Sequence, residues 1–253
     1  TFYMEEEFIF KTTSSPLDER DWSAEAIYDD KNDLPKKLDL RGNIPALRNQ
    51  GNLGTCAAQT AAAMKEWQEN KNINFKSHMS PMFVYNNRIN QDNEGMYGRD
   101  VMRILKDLGC CKEFTYPYRT THSIDDKVLE EAANCKIKGY ARVHTINTLK
   151  RALLKNGPCY ISFPVYNNGK RMWIAKRGEK QKGGHAMTVV GYTKEGFIIR
   201  NSWGILWGDQ GHCVYPYDDW GSHYEIWTTI DDESSQPFDK KWSWRDFIFG
   251  CIF

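Results

Sequence analysis

The sequence predicts an α+β fold in which helices fill the first half and strands fill the second. From Thr55 the chain places five alanines in nine residues, and alanine has the strongest helix propensity. After Gly157 and Pro158 the pattern changes to short apolar runs separated by glycine-rich turns, which is typical of strands. Because the two classes of element are separated along the chain, we expect two lobes of different character.

Each predicted helix has a local signal. The first begins near Cys56 and has Ala57, Ala61 and Met64 at helical spacing. The second begins at Ser80 and Pro81, because proline suits the first turn of a helix. Its apolar face is assigned to Met82, Phe83, Tyr85 and Ile89. A third covers residues 101–108, and a fourth is capped by Asn147. Strands are predicted at residues 159–166, 186–192, 196–201 and 212–217.

These signals divide the chain into segments of different composition. We predict an N-terminal arm (1–34), a mainly helical lobe carrying the nucleophile (35–143), a β-rich lobe carrying the partner residues (144–230) and a C-terminal aromatic tail (231–253). The arm is acidic and irregular, so we expect either a surface arm or a strand-poor extension. The tail is so apolar that we expect it to dock on the body of the protein or on a partner.

Composition excludes several classes of protein. With 40% hydrophobic and 13% aromatic residues the chain is too apolar to be disordered, and its net charge of +1 offers no global field for specific nucleic acid binding. No apolar run approaches the roughly 18 residues of a membrane-spanning helix. The seven cysteines form no C-x-x-C pair and no glycosylation sequon occurs, which favours an intracellular or virion-associated setting over a secreted or lysosomal one. The sequence implies no cofactor and no metal.

Four polar residues have the chemistry of an acyl-transfer site. Cys56 lies at the N-terminus of the first predicted helix, where unpaired N–H groups favour a thiolate. His185, expected in a turn, can pair with it as an imidazolium, and Asn201 can orient that ring. The side chain of Gln50 and the backbone N–H of Cys56 can form an oxyanion hole.

The spacing of these residues resembles that of the papain-like cysteine peptidases, since His185 and Asn201 follow Cys56 by 129 and 145 residues. The run Asn201-Ser202-Trp203-Gly204-x-x-Trp207-Gly208-x-x-Gly211 is close to the family pattern. The likeness extends from about Leu34 to Tyr217. It implies a papain-like two-lobe fold, with a helical lobe, a β-barrel-like lobe and a cleft between them. It also implies hydrolysis of an extended polypeptide through an acyl-thioester on Cys56, with His185 as general acid and base.

The resemblance assigns supporting residues as well. Trp203 is expected to cover the contact between Asn201 and His185 and to line the substrate site. Gly95, which resembles the glycine that binds the backbone of an extended substrate, and Gly184 complete the predicted substrate-binding set. For Gly95 a simple turn is an equal alternative.

Three positions depart from the family pattern. Leu53, Thr55 and Ala57 stand where the family usually has cysteine, serine and an aromatic residue. Without the cysteine, the disulfide typical of the secreted and lysosomal members is lost, which points to a bacterial or viral-like branch. A long helical inhibitory propeptide is not recognised, so any latency would have to come from the arm or the tail.

Two other functions fit the same residues. One is a catalytically silent structural or binding protein, for example a virion component, that docks through its aromatic tail. The other is an acyl transferase or ligase that uses the same site. The intact chemical positions argue against the first, and analysis of products with an amine acceptor separates the second from hydrolysis.

Overall fold

The structure, a computed structural model, describes residues 10–28 and 33–231. Apart from Asp231, the predicted C-terminal tail lies outside the described residues. The helices are α1 (Cys56–Ile73), α2 (Pro81–Asn86), α3 (Gly98–Asp107), α4 (Asp126–Ala133) and α5 (Ile146–Asn156). The strands are β1 (Leu38–Asp39), β2 (Ile137–Arg142), β3 (Cys159–Val165), β4 (Gly183–Tyr192), β5 (Gly196–Arg200), β6 (His212–Pro216) and β7 (Glu225–Asp231). Of the described helices, none has both the length and the apolar character needed to span a lipid bilayer.

The strands form one antiparallel sheet. Six of them follow the order β2-β7-β3-β4-β5-β6, and β1 pairs with β4 beside that path. The prediction of an α+β fold is confirmed. Within the described residues the path of strands is open, so the β-rich part is a curved sheet without the closure of a barrel.

Helix α1 joins two hydrophobic clusters. One cluster is built largely from the sheet and α5 and includes Ala63 and Trp67 of α1. The other is built largely from α1, α2 and α3 and includes Cys56 and Ala61. The alanine-rich surface allows α1 to pack closely against β4 and α2. As a result, the N-terminus of α1 lies beside β4.

Two predicted helices have different ends in the structure. Helix α2 ends at Asn86, and Ile89, which was assigned to its apolar face, is 66% exposed. Helix α5 is capped by Thr145, whose hydroxyl accepts from the backbone N–H of Thr148 at 3.2 Å, so the predicted cap Asn147 lies inside the helix.

Sequence patterns missed α4, β2 and β7. The α4 cap is Asp125, whose carboxylate accepts from the backbone N–H of Val128 at 3.0 Å. Strand β7 lies between β2 and β3 and pairs with both. The β2 and β3 partners of β7 are more than 60 residues away in the chain, so local periodicity gave little indication of these pairings.

Candidate active site

Cys56 is the first residue of α1, and its side chain is almost completely buried, with 1% exposed. Burial raises the pKa of the thiol. The Thr12 hydroxyl and the backbone N–H groups of Ala186, Ala57 and Cys56 itself act in the opposite direction but are outweighed. The groups at the helix N-terminus therefore favour the thiolate, but burial outweighs them and raises the pKa of the thiol.

His185 lies within β4, opposite Phe163 of β3, and not in the turn that was predicted. Its Nε2 lies 2.7 Å from Oδ1 of Asn201. Its Nδ1 has no hydrogen-bond partner among the described residues. Burial lowers the pKa of the imidazole to about 4, against which the Asn201 contact acts. The ring is therefore neutral near pH 7 in this structure.

Asn201 follows directly after β5, and its side-chain oxygen, Oδ1, is held by hydrogen bonds. Besides the His185 contact, Oδ1 accepts from the backbone N–H of Ser202 at 2.8 Å. The ring of Trp203 lies over the imidazole, with ring centroids 4.6 Å apart. Trp203 is 5% exposed, so it separates the His185–Asn201 pair from solvent.

Gln50 is fixed by contacts with Ser202 and Leu53, and its carbonyl also accepts from the Tyr118 hydroxyl. Its Oε1 accepts from the Ser202 hydroxyl at 2.6 Å, and its backbone N–H donates to the Ser202 carbonyl at 2.8 Å. Its Nε2 donates to the Leu53 carbonyl at 2.8 Å. A primary amide nitrogen carries two hydrogens, so one N–H of Gln50 is left to act as an oxyanion donor.

The arm covers these residues. Thr12 is fully buried, and its hydroxyl lies 3.1 Å from the Cys56 sulfur. The backbone N–H of Thr12 donates to the Gly184 carbonyl at 3.2 Å. The ring of Phe10 meets the rings of His185 and Trp203 edge-on, at centroid distances of 6.2 and 5.7 Å. The described part of the arm forms no strand beyond isolated bridges at Thr13 and Ser23, and Thr12 lies buried against the body rather than on the surface.

Two of the predicted substrate-binding residues contact the backbone of the arm. A Cβ at Gly95 would collide with the Lys11 carbonyl, and one at Gly184 would collide with the Thr12 carbonyl. Thr13 forms a parallel bridge with Tyr97, two residues beyond Gly95. Glycine at both positions lets an extended backbone approach closely.

Polar contacts with the body hold the rest of the arm. The N–H and hydroxyl of Ser15 donate to Oε1 of Glu225 at 3.2 and 3.0 Å. Asp21 pairs with Arg99 of α3 at 2.5 Å and with Arg142 of β2 at 3.2 Å. Sequence reasoning missed these contacts, because no local pattern links Ser15 to a residue more than 200 positions away.

The site thus contains a thiol, an imidazole with its amide partner, and oxyanion donors, which together suit acyl transfer. A metal is not required by that chemistry. Among the described residues, no group of three or more histidine, cysteine or carboxylate side chains is arranged to hold a metal ion.

Comparison with known proteins gives concordant matches. The model for the papain family cysteine protease matches residues 34–227. An uncharacterized peptidase C1-like protein of Acanthamoeba polyphaga mimivirus is 30% identical over 76% of this chain and 70% of its own length. Cathepsin K of Mus musculus is 29% identical over 72% of this chain, but the match spans only 59% of that protein.

Solved structures agree on the fold. Xylellain, a cysteine protease from Xylella fastidiosa, superposes with a TM-score of 0.76 at 26% identity, covering 87% of this chain and 95% of that one. Procathepsin L 3 from the larval midgut of Tenebrio molitor gives 0.65 at 20% identity, covering 79% and 71%. The predicted papain-like architecture is therefore confirmed.

Proposed function

Because the chain belongs to the papain family of cysteine proteases, we propose that it hydrolyses peptide bonds through an acyl-thioester on Cys56. One observation carries the proposal most directly. His185 is hydrogen-bonded to Asn201 at 2.7 Å, and the residue after it in β4, Ala186, belongs to the same buried cluster as Cys56. This arrangement supports a nucleophile and an oriented base in one site.

In the acylation step, Nδ1 of His185 takes the thiol proton and the sulfur of Cys56 attacks the carbonyl carbon of the substrate. The resulting oxyanion accepts from the Cys56 backbone N–H and the remaining N–H of Gln50. The tetrahedral intermediate collapses, its C–N bond breaks and the His185 imidazolium donates its proton to the leaving amine. Asn201 accepts from Nε2–H and holds the ring in the orientation this transfer requires.

In the deacylation step, water gives a proton to His185 and its oxygen attacks the thioester carbon. The second tetrahedral intermediate expels the Cys56 sulfur, which takes back the proton from the His185 imidazolium, and the carboxylic acid product leaves. Trp203 keeps water from competing for the amide of Asn201, and the donors of Gln50 and Cys56 again bind the oxyanion. The enzyme returns to its starting state without a cofactor.

We assign an extended polypeptide as substrate, bound along Gly95, Gly184 and Trp203. The arm supports this assignment, since its backbone passes both glycines and its Phe10 ring packs on Trp203. Cleavage of a fluorogenic peptide library, with Cys56→Ala as the control, tests the activity. Turnover retained by Cys56→Ala would refute the mechanism. Products that incorporate an added amine would indicate acyl transfer instead of hydrolysis.

We further infer that the arm-covered form is latent. Cys56 and His185 are 1% and 0% exposed, and the thiol contacts the Thr12 hydroxyl. The arm is not in position for cleavage there, because the atom facing the sulfur is a hydroxyl oxygen, and the Thr12 carbonyl faces Gly184 instead. A substrate can reach Cys56 only after the arm moves away.

Weakening the arm's ion pairs tests this inference. Asp21→Ala removes both the Arg99 and the Arg142 contact and should raise initial peptidase rates at least several-fold. Asp18→Ala is the matched control, because Asp18 pairs with the largely exposed Arg20 within the arm itself. Equal rates for the Asp21→Ala variant and the parent protein would contradict the proposed latency.

A further inference from the structure

A small polar cavity lies beside Asn201, between α1 and the strands β4 and β5. Gln59 and Glu66 of α1, Arg48 and Asn201 are among the residues that line it, and its volume is about 20 Å³. A cavity of roughly 10–15 Å³ on this measure holds one water molecule. The cavity therefore has room for about one.

The walls of the cavity present polar atoms without partners. Nδ2 of Asn201, both polar atoms of the Gln59 amide, Oε2 of Glu66 and Nε of Arg48 are buried and have no hydrogen-bond partner in the described part of the chain. Asn201, Gln59 and Glu66 are 3%, 5% and 0% exposed. An unpaired polar atom in a protein interior is costly, so this set of donors and acceptors is suited to water.

We propose that a water molecule in this cavity bridges Nδ2 of Asn201 to the side-chain amide of Gln59, which makes Gln59 a positioning residue for the His185–Asn201 pair. This inference rests on the proposed peptidase function. Two donors, on Asn201 and Arg48, and two acceptors, on Gln59 and Glu66, match the hydrogen-bonding capacity of one water molecule.

The bridge acts on the orientation of the Asn201 amide. In the observed orientation Oδ1 receives Nε2–H of His185, and the Ser202 N–H supports it from one side. A flipped amide would present its NH2 group to His185, and the imidazolium would lose its acceptor. Water that accepts from Nδ2 disfavours the flip. Without the bridge, the imidazolium is less well supported and gives up its proton at lower pH.

Two neighbouring groups do not replace the bridge. Tyr118 lies near Gln59 but does not line the cavity. Its hydroxyl is already engaged by the Thr55 hydroxyl at 2.7 Å and the Gln50 carbonyl at 2.9 Å. Arg200, at the end of β5, donates to the Pro45 and Ala46 carbonyls.

Gln59→Met tests the proposal, because methionine keeps the length of the side chain and removes its amide. Gln68→Met is the matched control. Gln68 lies on the same helix, is 1% exposed and donates to the Thr229 hydroxyl at 2.8 Å, outside the cavity. Both variants keep the charged and titratable groups that face His185 and the cavity, which are Cys56, Arg48, Glu66 and Arg200.

We expect Gln59→Met to lower kcat/KM roughly three- to tenfold, as the loss of one hydrogen bond would, with the loss in kcat and little change in KM. The alkaline limb of its pH profile should move to lower pH, whereas Gln68→Met should leave that limb in place. A high-resolution crystal structure of the full chain should show one ordered water between Asn201 and Gln59, absent from the Gln59→Met variant.

A dry cavity, or a water that touches neither amide, would overturn the proposal. A pH limb that is identical in the two methionine variants would also overturn it. If the parent protein itself hydrolyses no peptide, the proposed function fails, and the electron density still decides whether the water is present.

Discussion

At the scale of single residues, burial shifts the pKa of both members of the proposed catalytic pair, Cys56 and His185. The N–H groups around Cys56 favour a thiolate and Asn201 favours an imidazolium, yet burial raises the pKa of the thiol and lowers that of His185 to about 4. Both groups are therefore neutral under the arm. Burial therefore disfavours a thiolate–imidazolium pair, and the proposed latency would combine this electrostatic effect with blocked access.

The lowered pKa of His185 predicts that acid favours release of the arm. His185 binds a proton with its ordinary pKa of 6.5 once it is solvated, but with a pKa of about 4 under the arm. As pH falls from 6.5 towards 4, only the open form gains the proton, and opening becomes more favourable by up to about tenfold per pH unit. Above 6.5 this effect vanishes, because opening then involves no net uptake of a proton.

Amide hydrogen exchange measures that opening. The N–H of Thr12, bonded to the Gly184 carbonyl, should lose protection between pH 6.5 and 4.5 after correction for the intrinsic exchange rate. The N–H of Leu40, bonded to the Val190 carbonyl in the body, is the internal control for general acid destabilisation. Constant protection of the Thr12 N–H over this range would show that protonation of His185 is not coupled to release of the arm.

The oxyanion donors give a second prediction at this scale. Gln50→Ala should lower kcat about a hundredfold or more, the usual effect of losing one such donor. Ser202→Ala should have a smaller effect, because it removes only the hydroxyl that holds Oε1 of Gln50 at 2.6 Å. Steady-state kinetics with a peptide substrate measures both. A larger loss for Ser202→Ala than for Gln50→Ala would show that Gln50 is not the donor.

At the scale of elements, α1 joins the two hydrophobic clusters and needs buried ionic contacts to do so. Glu66 on α1 is fully buried and pairs with Arg48 at 2.8 Å and with His78 at 3.1 Å. It also accepts from the backbone N–H of Met79 at 3.0 Å. These contacts attach α1 to the loop before it and to the segment that leads into α2.

Glu66→Ala should therefore lower the free energy of unfolding by about 3–5 kcal/mol, because it leaves Arg48 partly unpaired inside the protein. We expect a loss at the lower end of this range, because Arg48 keeps its ion pair with Glu113 at 2.8 Å. Glu130→Ala on α4, at an exposed position, should change stability by less than about 0.5 kcal/mol. Urea unfolding measures the free energy of unfolding of the two variants. Similar losses of stability in Glu66→Ala and Glu130→Ala would mean that the buried ion pairs of Glu66 make no specific contribution.

The elements also show what sequence can predict. Helix α1 has a strong local composition and was predicted correctly. The spacing of Cys56, His185 and Asn201 fits a known family, and His185 does lie beside Asn201, but in a strand and not in the predicted turn. Strand β7 and the place of the arm were not predicted, because pairing across long stretches of chain determines them. The Thr12–Cys56 contact joins residues 44 positions apart, and nothing in a short polar arm signals its partner.

At the scale of the whole molecule, the arm connects elements from both halves of the chain. Asp21 joins α3 to β2 through Arg99 and Arg142, and Ser15 reaches Glu225 on β7. Being part of the same chain, the arm binds at a high effective concentration, of millimolar order for short linkers. Contacts that are individually weak can therefore keep the cleft closed.

A peptide of residues 10–28, added to a chain that begins at residue 33, should inhibit peptide hydrolysis competitively. Because the free peptide lacks the tether, a high concentration of it is needed to occupy the cleft as fully as the arm does. An Asp21→Ala peptide should bind at least about tenfold more weakly, because it leaves Arg99 and Arg142 without that partner. An Asp18→Ala peptide should bind within about twofold of the parent peptide, since the exposed Asp18–Arg20 pair adds little. Inhibition constants against a fluorogenic substrate decide the matter: noncompetitive inhibition, or equal constants for the two variant peptides, would mean that the arm does not act through the cleft contacts described.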